Sequence, residues 1–147
     1  MFYISHRGNI DGPNKDRENS PQYIREALNL GYDVEIDVWY KEESFYLGHD
    51  KPDYKIEESF LQNTKLWCHA KNLKALSKLT TMQHVHFFWH QNDSYTLTSR
   101  GIIWAFPDQK TCDNSICVMP EISGYKTLSG PYAGICSDFI KNIKEGI

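Results

Sequence analysis

The chain has 147 residues, of which 40% are hydrophobic and 14% aromatic, so it can form a single domain with a buried core. Its formal net charge of -3 disfavours broad nucleic-acid binding, which needs a basic surface, and we predict no nucleic-acid partner. No apolar run approaches the ~20 residues of a membrane span and no export signal opens the chain, so we expect a cytoplasmic protein without a membrane span.

Short apolar and aromatic runs predict eight strands, separated in the first half of the chain by amphipathic helices. The strands are predicted over residues 2–5, 34–40, 45–47, 66–70, 85–89, 102–106, 116–119 and 134–136. A first helix has Asn19 or Ser20 as its cap and ends at Gly31, and two more are predicted over residues 72–79 and 138–144. Connections shorten after residue 89, which favours a barrel lacking much of its outer helical layer, with an open doubly wound sheet as the alternative.

Charged residues follow or interrupt the first strands. The second strand reads YDVEIDVWY and places Asp33, Glu35 and Asp37 on one face. Carboxylates on a core strand are costly unless a cation compensates them, and paired carboxylates are the hard ligands that Mg²⁺ and Ca²⁺ prefer. An edge strand with its polar face in water is the alternative. The first strand ends on His6-Arg7-Gly8, which combines an acid–base group, an anion ligand and a residue suited to a sharp turn.

Four short motifs occur in a recognisable order along the first third of the chain. They are HRG at 6–8, EN at 18–19, EID at 35–37 and HD at 49–50. This series resembles the glycerophosphodiester phosphodiesterase family, within the phospholipase-C-like phosphodiesterases. The resemblance is clearest over residues 3–50 and continues weakly to about residue 80, and GICSD near the end is similar to the family's last barrel strand.

The resemblance implies a fold and a set of catalytic roles. Family members are (β/α)8 barrels, which normally need ~200 residues or more, so we expect an α/β fold in which residues 1–147 form one reduced (β/α) TIM-type barrel with short or missing helices in its second half. His6 and His49 would be the acid–base pair, and Glu35 and Asp37 would hold a divalent cation.

The resemblance also assigns residues to the substrate phosphate. Arg7 would bind it through its guanidinium, and Glu18 would orient Arg7 or His6. Relatives carry a Glu two residues before a Lys on the third strand, whereas this chain has CHAK, which puts His69 where a carboxylate is expected and keeps Lys71 to face phosphate.

The identity of the metal depends on His69. We expect one divalent ion, Mg²⁺, Ca²⁺ or Mn²⁺, or Zn²⁺ or Co²⁺ if His69 is a ligand, because imidazole is a softer donor than carboxylate. The alternative is that His69 is a core histidine and water completes the metal's coordination.

Four further residues lie near the ends of predicted strands or just after them and are candidates for supporting positions around the site. They are Asp50, His90, Trp104 and Asp138. Together the residues and the resemblance imply a metal-dependent phosphodiesterase that acts on a small glycerophosphodiester-like or related phosphodiester. The alternatives are a catalytically silent module that binds phosphate or sugar phosphate, and a lyase that forms a cyclic phosphate. The sequence leaves the alcohol groups of the substrate and the oligomeric state open.

Overall fold

The computed structural model describes residues 1–146, which form ten strands and three short α-helices. The strands are β1 (Phe2–His6), β2 (Asp33–Lys41), β3 (Ser44–Leu47), β4 (Tyr54–Ile56), β5 (Leu66–Ala70), β6 (His86–Phe88), β7 (Tyr95–Leu97), β8 (Ile103–Ala105), β9 (Ser115–Val118) and β10 (Gly134–Ser137). The helices are α1 (Pro21–Asn29), α2 (Leu73–Leu79) and α3 (Ile140–Glu145), with 3₁₀ segments at Glu58–Gln62, Pro120–Ser123 and Lys126–Ser129.

All ten strands belong to one mixed sheet. Seven of them pair in parallel in the order β6-β5-β2-β1-β10-β9-β8. The other three are antiparallel: β3 pairs with the second half of β2, β4 pairs with β3, and β7 pairs with β8. Because parallel strands run in one direction, the carboxyl ends of the seven central strands lie along the same edge of the sheet.

The predicted reduced TIM-type barrel is wrong, because the sheet is a curled half-barrel of mixed strands. Within residues 1–146, β6 forms ladder pairs with β5 alone and β7 with β8 alone, so the curl does not close. The β3–β4 hairpin occupies the connection from β2 to β5 in place of a simple crossover helix, and only residues 106–114 separate β8 from β9. A helical crossover needs about a dozen residues or more, so the β8–β9 connection is too short to build one, and the longer connection from β9 to β10 holds only 3₁₀ segments.

The helices cover a single face of the sheet, which also rules out the open doubly wound alternative. Ser20 caps α1 by accepting a hydrogen bond from the main-chain N–H of Tyr23, and Pro21 occupies its first turn. Under α1 and α2 lies an apolar cluster that includes Val34 and Ile36 of β2, and α3 packs on a second cluster.

The opposite, helix-free face positions the candidate site. Its apolar cluster consists of Ile4, Trp67, Phe88, Trp104, Ile116, Val118 and Cys136. Side chains alternate along a strand, so His6 lies on the same face as Ile4, and His69 on the same face as Trp67. The strand register places Glu35 beside His6 and Asp37 beside His69. Polar groups therefore cover the apolar cluster at the carboxyl edge of the sheet.

Candidate functional site

Glu35 and Asp37 of β2 and His69 of β5 form a buried cluster on the helix-free face. One ligand atom from each lies within 4.8 Å of the others. Glu35 is 3% exposed and Asp37 is fully buried, so β2 is not an edge strand with its polar face in water. Oε2 of Glu35 and Oδ1 of Asp37 are buried and have no hydrogen-bond partner within residues 1–146. Since buried carboxylate oxygens without a hydrogen bond are costly and a divalent cation would satisfy both, these three residues could hold a metal ion, as predicted.

The imidazole of His69 is oriented by a main-chain contact. Its Nε2 lies 2.8 Å from the carbonyl oxygen of His90, and because a carbonyl can only accept, Nε2 carries the proton. Its Nδ1 faces the carboxylates, 3.3 Å from Oδ1 of Asp37 and 3.7 Å from Oε1 of Glu35. Nδ1 therefore either carries a second proton and forms ion pairs or, when neutral, offers a lone pair to a cation.

Without metal, His69 makes the stability of the protein depend on pH. Burial lowers the pKa of His69, but the carboxylates of Asp37 and Glu35 beside its Nδ1 outweigh that effect, and the pKa rises to about 9. Because this value lies above the unfolded one of ~6.5, the stabilisation is complete below pH ~6.5 and is lost as the pH rises through the folded pKa.

We expect the free energy of unfolding in EDTA to fall by on the order of 3 kcal/mol across this pH range, most of it through His69. Urea denaturation of the wild type and of His69→Gln at a series of pH values measures the effect. The variant should give a flatter profile, and equal slopes in the two proteins would contradict the assignment.

His6 lies beside the cluster at the end of β1. Its Nδ1 donates a hydrogen bond to Oδ1 of Asp138 over 2.7 Å, and its Nε2 is 3.8 Å from Oε2 of Glu35. Burial lowers the pKa of His6, but the hydrogen bond to Asp138 and the charge of Glu35 have the larger combined effect, and the pKa is raised. With Nδ1 committed to Asp138, Nε2 is the nitrogen that can exchange a proton with a group bound at the cluster.

Arg7 lies on the other side of Asp37 and is held by two carboxylates. Its Nη1 donates to Oε2 of Glu18 over 3.2 Å, and its Nε forms an ion pair with Oδ2 of Asp37 at 3.1 Å without the alignment of a hydrogen bond. Neither contact uses Nη2. The chain turns sharply here, with positive φ at Arg7 and Gly8, and a Cβ on Gly8 would come within 2.6 Å of the ring of Tyr23. The glycine therefore allows the turn that directs Arg7 towards the cluster.

His49 lies at a polar cavity that it shares with Arg7. The main-chain N–H of Gly48 donates to the carbonyl of Asp37, which returns the chain to β2 just before His49. The cavity measures about 360 Å³, and Glu18 and Asp50 also line it, whereas His6 does not. Nδ1 of His49 is 2.8 Å from Oδ1 of Asp50, and the His49 side chain is 44% exposed. His49 is thus placed to meet a group that enters from solvent beside Arg7.

The remaining sequence candidates occupy different surroundings. Lys71 follows the end of β5, where its main-chain N–H donates to the carbonyl of Val38. Nε2 of His90 contacts the carbonyl of Asp93, and its ring lies 5.4 Å from that of Phe106. Trp104 is buried in the apolar cluster below the site, so it does not line the polar cavity.

Sequence reasoning gave no site role to two asparagines that contact the candidate residues. Asn19 donates from Nδ2 to Oδ2 of Asp37 over 2.9 Å and accepts from the main-chain N–H of Asp37 over 3.0 Å. Asn9 contacts Glu18 and Asp138. In the sequence, the position of Asn19 beside Ser20 is explained by a helix cap. Its left-handed φ of 65° is visible only in the structure. Asn9 directly follows the HRG motif, and this position is the only feature of the sequence that could have indicated a role for it in the site.

No helix in residues 1–146 has the length and apolar character needed to cross a membrane. No protein-family model, curated protein or solved structure matches the chain. The resemblance to glycerophosphodiester phosphodiesterases therefore stays a prediction.

Proposed function

We propose that the chain is a divalent-metal-dependent phosphodiesterase, of the kind that its sequence motifs resemble. The observation that carries the proposal is a buried cluster of two carboxylates and one imidazole, in which two carboxylate oxygens accept no hydrogen bond from residues 1–146, with His6 and Arg7 beside it. Buried carboxylate oxygens without hydrogen bonds are costly in a purely structural ion-pair network, whereas a bound cation would satisfy them, and the neighbouring histidine and arginine suit proton transfer and phosphate binding.

Cleavage of a phosphodiester requires charge neutralisation and two proton transfers. A divalent ion held by Glu35, Asp37 and His69 would polarise the phosphoryl oxygens. Nη2 of Arg7 would bind a non-bridging oxygen, since Nε and Nη1 already contact carboxylates. Nε2 of His6 would take or give a proton on one side of the phosphorus, and His49 would serve the other side from the polar cavity.

The donor set favours metals that accept imidazole. With two carboxylates and one neutral nitrogen, the cluster attracts Mg²⁺ and Ca²⁺ less than three carboxylates would, so we expect the highest activity with Mn²⁺, Co²⁺ or Zn²⁺. His69→Glu should shift the preference towards Mg²⁺ or Ca²⁺. A metal-activation series at fixed pH measures this, and identical rankings in the two proteins would show that His69 does not bind the ion.

Turnover of small phosphodiesters tests the proposed function. We expect the metal-loaded protein to cleave glycerophosphodiesters or bis(4-nitrophenyl) phosphate, and EDTA to abolish the reaction. ³¹P NMR of the products separates hydrolysis to a monoester from formation of a cyclic phosphate. Lack of turnover with all five metals, together with retained binding of inorganic phosphate, would contradict the proposal and favour a silent binding module.

A further inference from the structure

Asn9 is completely buried and uses the full hydrogen-bonding capacity of its side chain. Oδ1 accepts from the main-chain N–H of Asn14 and from the hydroxyl of Tyr23, each over 3.1 Å. Nδ2 donates to Oε1 of Glu18 over 3.0 Å and to Oδ1 of Asp138 over 2.8 Å.

The chemistry of these partners requires an amide at this position. A main-chain N–H can only donate and an ionised carboxylate can only accept, so the oxygen of Asn9 faces Asn14 and its nitrogen faces Glu18 and Asp138. An aspartate of the same shape would place a third carboxylate between two others. An alanine would leave both carboxylates without the donor that joins them.

The two carboxylates joined by Asn9 hold different candidate groups. Asp138 accepts the hydrogen bond from Nδ1 of His6, and Glu18 accepts that from Nη1 of Arg7. His6 and Arg7 are neighbours in the chain, but their side chains contact separate carboxylates. Asn9 is the residue through which these two contacts are connected.

We propose that Asn9 is a positioning residue that fixes the imidazole of His6 and the guanidinium of Arg7 relative to each other by holding Asp138 and Glu18 on one amide. The inference rests on the proposed function, because it assigns proton transfer to His6 and phosphate binding to Arg7. The side chain of Asn9 forms no hydrogen bond with Glu35, Asp37 or His69, so we expect its effect to be separate from metal binding.

Kinetics separate this role from a general structural one. Because a displacement of about 1 Å can cost ~10²-fold in rate, Asn9→Asp and Asn9→Ala should each lower kcat by ~10²-fold. Both should raise KM several-fold through Arg7 and keep the metal-induced rise in melting temperature. Tyr23→Phe, which removes one hydrogen bond on the acceptor side and keeps the ring, should change kcat less than threefold.

A double-mutant cycle tests the connection through Asp138. Asn9→Ala should cost far less in kcat when Asp138 is already Asn than in the wild type, because both changes disturb the same contact of His6. Effects that add in full would overturn the proposal, as would loss of the metal response in both Asn9 variants.

A second readout does not depend on turnover. The proton on Nδ1 of His6 should give a downfield ¹H NMR signal in the metal-free wild type, assigned by its absence in His6→Gln. Asn9→Ala should shift or broaden this signal. If the wild type cleaves no phosphodiester, the proposed function fails but the NMR comparison still decides whether Asn9 positions His6. An unchanged signal in Asn9→Ala would overturn the inference.

Discussion

Replacing Glu35 by Gln and Asp37 by Asn together should remove the response of the protein to divalent metal. In the wild type, an ion at about 100 times its Kd adds about 2.7 kcal/mol to the free energy of unfolding. For a chain of this length that corresponds to a rise of about 5–10 °C in melting temperature. The double variant keeps the shapes of both side chains but lacks the two anionic ligands, so its melting temperature should not respond to metal and its turnover should be lost.

A matched control carries the same change in net charge. Glu57 and Glu58 are both exposed, and Glu57→Gln/Glu58→Gln should keep the metal response and the activity of the wild type. The melting temperatures of the wild type, the Glu35→Gln/Asp37→Asn variant and the control variant are compared in Mn²⁺ and in EDTA. If no divalent ion changes the melting temperature of the wild type, the metal site is refuted.

Replacing His6 or His49 by Ala should lower kcat by ~10²–10⁴, the range typical of a positioned acid or base. His6 presents Nε2 beside Glu35, and His49 lies with Arg7 at the polar cavity. Steady-state kinetics on a phosphodiester that the wild type cleaves, at saturating metal, measure both effects. The metal-induced rise in melting temperature should persist in both variants, because neither histidine belongs to the metal cluster.

His84 provides a control of the same residue type. It is exposed and has a left-handed φ, which asparagine tolerates well, so His84→Asn should retain wild-type activity. Near wild-type kcat in His6→Ala or His49→Ala would show that the histidine concerned is neither the acid nor the base.

Local sequence patterns predicted most of the secondary structure. Every one of the eight predicted strands and three predicted helices is present, with ends that differ by up to two residues. The strands Tyr54–Ile56 and Tyr95–Leu97 were missed because each has only three residues and neither gives a run of buried apolar side chains. These two short strands are stabilised by pairing with β3 and β8, and not by the local propensity of their residues.

The overall fold was harder to predict, because barrel closure depends on pairing between distant strands. The order of strands and helices up to Ala70 is compatible with a barrel. Closure would require β6 to form a ladder with a strand from the second half of the chain. Within residues 1–146, β6 contacts that half through hydrogen bonds such as His86 to Thr98, but it forms no ladder with it. Strand length and apolar content do not indicate whether the sheet closes into a barrel.

For the site, strand periodicity predicted the contacts made across neighbouring strands. Glu35 and Asp37 share a face, and His69 lies opposite Asp37 in the register. The contact between His6 and Asp138 joins residues 132 positions apart, and the amide of Asn9 meets both Asp138 and Glu18. Spacing along the chain carries no information about such contacts, which depend on the order of strands in the sheet.

The central claim is that Glu35, Asp37 and His69 bind one divalent ion. Anomalous diffraction from a crystal of the protein grown with Mn²⁺ tests it most directly. The expected result is a single strong peak within about 2.0–2.4 Å of a carboxylate oxygen of Glu35, one of Asp37 and Nδ1 of His69. A fully loaded crystal with no peak between these three side chains would contradict the account.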